Sequence, residues 1–117
     1  MSQTINCTLP IRLKSPNVKD KHWSITSKRI NVFDLLIKQN LLKGNDIKLP
    51  CHIILERQGV KLFDYDNLVT ANKPIKDIIC SYVLGKKRGV DDDNPGFTWE
   101  YRQIKSKKHA LYIEITW

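Results

Sequence analysis

Carboxylates are scarce in this chain. Twelve Asp and Glu stand against twenty Lys and Arg, leaving a formal net charge of +8 and a pI near 9.5. A small domain with that cationic surplus usually meets a polyanion or an anionic surface. Long apolar runs are missing too, and nothing approaches the roughly 18 apolar residues of a membrane span. The first residues lack the apolar core of a secretory signal. A basic amphipathic helix with an aromatic face, the mark of membrane-surface binding, is also lacking. The expectation is a soluble, cytoplasmic protein with no membrane partner. Cysteine is sparse: Cys7, Cys51 and Cys80 have neither metal-finger nor redox spacing. Their apolar neighbours suit small buried hydrophobes in a reducing compartment. Internal repeats and low-complexity linkers are absent.

What is present suffices for one folded unit. The 117 residues fit one domain over residues 1–117 and not comfortably two. A 41% hydrophobic content allows a core, and the 27% charged fraction argues against a wholly disordered chain. Ile5, Cys7 and Leu9 alternate with Thr4, Asn6 and Thr8, the pattern of a half-buried strand ended by Pro10. Ile30, Phe33, Ile37 and Leu41 recur at three or four residues, which predicts a helix from about Lys28 to Leu42. Gly44 suits its left-handed stop. Cys51 to Glu56 reads as a strand with little polarity on either face. Ile75, Ile78, Ile79, Tyr82 and Val83 predict a second helix closed by Gly85. Phe97, Trp99 and Tyr101, then Leu111, Ile113 and Ile115, alternate with polar residues, and a terminal hairpin of these two strands is expected. The order β-α-β-α-β-β implies an α+β fold, a small mixed sheet with two helices on one face.

The chemistry concentrates in Phe63-Asp64-Tyr65-Asp66-Asn67-Leu68. Positions i and i+2 of an extended segment share a side, so Asp64 and Asp66 are expected to converge. Two anions held close repel, and an oxygen-preferring divalent cation, Mg²⁺ or Mn²⁺, offsets that repulsion. Asp91-Asp92-Asp93 is the candidate source of a third carboxylate. Three carboxylates leave metal positions open for water and a phosphate oxygen, as metal-assisted hydrolysis requires. The bland alternative is that Asp and Asn serve local turns and solvated caps. Yet a chain poor in acid has gathered it at two element junctions, where basic surface would suit a nucleic acid better. Metal-mediated phosphate contact resolves that contradiction.

Lys73 follows Asp66 by seven residues, about two helical turns. On a shared face it would neutralise charge on a scissile phosphate. Pro74 disturbs that geometry, because the residue before proline avoids helical angles. Arg57, Lys61, Lys86, Lys87 and Arg88 are the candidates for holding backbone phosphates. His22, His52 and His109 are scattered and read as structural or surface groups. Trp23, Trp99 and Trp117 suit core or dimer packing better than base stacking.

The run Asp64-Tyr65-Asp66-Asn67-Leu68-Val69, Lys73-Pro74-Ile75 with Asp77 beyond it, and Asp92-Asp93 near a strand start resemble the RusA-type Holliday junction resolvases of bacteria, prophages and phages. The likeness is strong over residues 57–104, with a loose echo in Leu9-Pro10 and Asn17. It implies a homodimer that binds four-way DNA junctions and nicks them symmetrically with Mg²⁺. It implies metal-site roles for Asp64, Asp66 and Asp93, with Asp92 beside the last. Asn67 then matches the motif asparagine, counted among the nucleic-acid contacts, Lys73 the catalytic lysine, and Asp77 the Asp one turn on. In that family the lysine follows the second Asp by four residues. Here Thr70 holds that position, and Thr70-Ala71-Asn72 reads as a three-residue insertion of nearly one helical turn. The rival readings are a non-catalytic basic DNA-binding module, a nuclease acting on flaps, forks or RNA, and a basic interaction protein.

Overall fold

A strand that is apolar on both faces belongs inside a sheet. Strand β2 (Cys51–Gly59) is of this kind: Ile53 and Leu55 are fully buried on one face and Ile54 is buried on the other. In the computed structural model, which describes residues 2–16, 23–89 and 93–117, β2 takes an inner place. Strand β1 (Thr4–Leu9) lies at one edge and β3 (Phe97–Lys105) at the other, with β4 (Ala110–Thr116) between β1 and β2. The order is β1-β4-β2-β3. The β2/β3 pair is parallel and the other two are antiparallel, so the sheet is mixed as expected.

The register aligns side chains in rows across the sheet. Ile5, Ile115, Ile53 and Trp99 form one row, and Cys7, Ile113, Leu55 and Tyr101 the next. Helix α1 (Trp23–Ile37), continued by a wider π turn over Lys38–Leu42, covers this face with Phe33, Ile37 and Leu41. Helix α3 (Lys73–Leu84) adds Ile75, Ile78 and Ile79 to the same core. Cys51 and Cys80 are buried there as free thiols, and burial pushes the Cys51 thiol up to about 11. The opposite face is polar. His52 Nδ1 and Thr98 Oγ1 lie 2.7 Å apart, Glu100 pairs with Arg102, and the Tyr112 hydroxyl donates to Glu114. Among the described residues no helix is long and apolar enough to cross a membrane.

Three expectations need correction. The last two strands are not a hairpin, because β2 lies between them. The polar link over residues 106–109 steps across the end of β2, where the Ser106 amide donates to the Gly59 carbonyl at 2.7 Å. That step spans two strand spacings, roughly 9.6 Å, within reach of a four-residue link. The second helix is split: α2 (Tyr65–Ala71) precedes α3, with Asn72 between them at φ −85°, ψ −3°. The described residues therefore contain three α-helices rather than two. Pro74 sits in the first turn of α3, where its missing N–H costs nothing. Finally, α1 starts five residues before the expected Lys28 and ends at Ile37, with the π turn carrying the chain to Leu42. Gly44 and Gly85 adopt left-handed φ values of 82° and 66°, as their placement after helices predicted.

Candidate metal and nucleic-acid site

The third row across the sheet changes character. Leu9 and Leu111 give way to Arg57 on β2 and Gln103 on β3. This polar end of an otherwise apolar face positions the acidic motif. The Gln103 side chain accepts from the Phe63 amide at 2.9 Å and donates to the Phe63 carbonyl at 2.7 Å. A primary amide thus pairs with the backbone as a neighbouring strand would, and fixes the residue just before Asp64. Sequence reasoning missed Gln103. Its signal was a polar residue continuing the alternating series Phe97, Trp99, Tyr101.

Asp64 is the residue preceding α2, at φ −59° and ψ 152°, and Asp66 lies in the first helical turn. The pair therefore straddles a helix start and does not lie in one extended segment, which corrects the geometry expected for its convergence. Both residues are exposed. The Asp64 carboxylate makes no capping hydrogen bond. Among the described residues no ion pair engages either side chain. A carboxylate near a helix N-terminus is stabilised by the free amides there, so local electrostatics alone justify the position of Asp66. Asn67 follows, half-buried.

The third carboxylate is not where it was expected. Phe63 is held opposite Gln103, toward the end of β3, whereas the Cys51 amide donates to the Gly96 carbonyl at the start of both parallel strands. From Phe97 to Gln103 a strand advances roughly 20 Å. Asp93 precedes Gly96 in an exposed turn at that far end. The described residues accordingly contain no group of three acidic, His or Cys side chains able to hold a metal. Asp93 is corrected as a third ligand. Asp91 and Asp92 lie outside the described residues. Asp64 and Asp66 still fit a Mg²⁺ site of the sparse kind, since that ion is commonly held by one or two carboxylates with waters and substrate phosphates completing the shell.

Lys73 is the first residue of α3. Its side chain is 59% exposed, and Nζ lies 3.5 Å from Asp77 Oδ1, one turn further on. Lys73 and Asp77 thus form an ion pair along the first turn of α3. Lys73, Thr70, Asp77 and Arg88 line a groove of about 670 Å³ between α1 and α3, which Asp64, Asp66 and Asp93 do not line. Burial is the main cause that raises the pKa of the Tyr101 hydroxyl. Tyr65 adds to that effect and Lys73 opposes it, so all three share one neighbourhood.

The cationic residues divide sharply. Lys61, Lys86 and Lys87 are exposed as expected. Arg88 is exposed but leans on α1, 3.3 Å from Asn31 Oδ1 and 3.8 Å from Asp34. Arg57 is only 3% exposed and cannot be a surface phosphate clamp. Its guanidinium lies 3.5 Å from the Phe63 ring centroid and donates to the Lys61 carbonyl at 2.7 Å. Burial, with Arg12 nearby, lowers its pKa.

No protein-family model matches the chain, and no curated protein does.

Proposed function

We propose that the protein is a Mg²⁺-dependent, structure-specific DNA endonuclease that resolves Holliday junctions by paired symmetric nicks, acting as a homodimer in the bacterial cytoplasm. One observation carries the reading: in a chain of net charge +8, the exposed Asp64–Asp66 pair follows a residue held at both its N–H and C=O by Gln103. Anions fixed on a basic surface favour a cation that also binds phosphate. In this reading Asp64 and Asp66 hold Mg²⁺, which when bound supplies an activated water and polarises the scissile phosphate. Lys73 neutralises charge on that phosphate, with Asp77 holding the lysine in place. Lys61, Lys86 and Lys87 track the backbone, and Asn67 adds a polar contact. The resemblance to RusA-type resolvases supplies the junction and the two-fold dimer, whose symmetry would set two sites on opposite strands.

A second reading has its own support. The absence of a three-carboxylate group among the described residues favours a non-catalytic basic module that binds branched DNA. One assay separates the two: a mobile four-way junction, a fork and a linear duplex are incubated with the protein, in Mg²⁺ or chelator. Paired symmetric nicks on the junction alone, abolished by Asp66→Asn, are expected. Junction binding that persists in chelator without any nick in Mg²⁺ overturns the enzyme in favour of the module. Cleavage of the fork but not the junction redirects the substrate.

A further inference from the structure

A recess beside the acidic motif sets Lys61 among residues that the chemistry above does not use. It encloses about 460 Å³ and is lined by Arg12, Lys14, Arg57, Lys61 and His109, with Phe63 among the apolar residues. These residues come from three parts of the chain: the segment after β1, the end of β2 and its exit, and the link into β4. Among the described residues no carboxylate lines it. Like charges gathered this closely oppose one another, and an anion seated among Arg12, Arg57 and Lys61 would relieve that repulsion.

Arg57 makes the requirement specific. A guanidinium almost wholly removed from water is normally paired with a carboxylate, since an unpaired buried charge is costly. Among the described residues no carboxylate pairs with Arg57, and its Nε, also buried, has no hydrogen-bond partner. The surroundings keep room for it in this posture. The Phe63 ring supports one face, and a Cβ on Gly59 would come within 2.7 Å of Nη2, so glycine leaves the fork its space. Arg12 and Lys61 are exposed at the rim, and Lys14 is half-buried.

We infer that this recess is a phosphate-binding pocket, in which Arg12, Lys14 and Lys61 surround one phosphate group above the buried Arg57. Phosphate fits the donor set. Its tetrahedral oxygens accept from several directions, planar guanidinium forks match them two at a time, and lysines add point charges. The inference shares with the nuclease reading Lys61 and a polyanionic partner, and it requires neither metal nor cleavage. The group can come from a nucleic-acid backbone or from free phosphate, and the test separates these sources.

The full-length protein is titrated with sodium phosphate against sodium chloride at matched ionic strength and pH, and amide shifts are followed by NMR. Saturable shifts confined to residues 12–15, 57–63 and 109 are expected. The double variant Arg12→Ala/Lys61→Ala alters two exposed side chains and leaves the core intact. It should weaken phosphate binding roughly tenfold or more, the loss expected for charged hydrogen bonds. Asp66→Asn should leave binding unchanged, so failure of cleavage and failure of the pocket are separable. An unphosphorylated thymidine oligonucleotide, carrying phosphodiesters only, forms the second arm. Shifts at the same residues identify backbone as the source, and their absence alongside a phosphate response identifies free phosphate. Shifts that never saturate, that spread equally over Lys86 to Arg88, or that survive in the double variant overturn the pocket.

Discussion

At the scale of single residues, one side chain does what the acidic motif cannot do for itself. Asp64 and Asp66 sit at a helix start with no side-chain partner holding them among the described residues, so their placement depends on the chain that leads in. Gln103 fixes that chain through both polar groups of Phe63. Replacing it with leucine keeps much of the volume and strands a part-buried N–H and C=O. Gln103→Leu should therefore lower stability by about 1–3 kcal/mol, measured by urea unfolding. Junction nicking should fall further than the loss of folded protein explains. The sequence made the aspartates legible because charge in an unusual place is visible without coordinates. Gln103 and the buried state of Arg57 were not legible, since both depend on which strand lies beside β2. That neighbour is set by a long-range register, and a mistaken hairpin concealed it.

At the scale of elements, period and punctuation were read well and pairing poorly. The alternation of β1, β3 and β4 and the apolar character of β2 are local properties, and the strands formed where those patterns stood. The stop at Gly85 was local too: φ is 66° there, and a Cβ would meet nothing within 4 Å. The cost of a side chain at that position is thus purely conformational. Gly85→Ala should destabilise the protein by about 1–2 kcal/mol by thermal or urea unfolding, and Gly85→Asn by less. The break between α2 and α3 was only half legible. Pro74 announced a boundary, but Asn72, fully buried and donating to the Leu68 carbonyl at 3.0 Å, keeps the two helices closely joined. Thr70 and Ala71 close α2 and Asn72 forms the joint. Lys73 therefore opens a new helix, beside Asp77.

At the scale of the whole molecule, the charge surplus is divided between uses. One cation is sunk beneath the sheet's polar end, others ring the recess above it, and Lys86 and Lys87 project from the loop after α3. Under the proposed function, only the exposed ones would release counterions on DNA. The affinity for a four-way junction should fall linearly in log–log form with salt, measured by fluorescence anisotropy over roughly 50–200 mM. Each of Lys86→Ala and Lys87→Ala should reduce the slope by about 0.9 if its residue meets a phosphate. Arg57→Ala should alter stability before it alters the slope. The polar pair formed by Gln103 and Phe63 has one more consequence, in time rather than in energy. Phe63 lies outside every strand, yet its amide hydrogen is locked to β3. In heavy water it should exchange on the slow schedule of the sheet, whereas the neighbouring Leu62 amide exchanges at the pace of a loop.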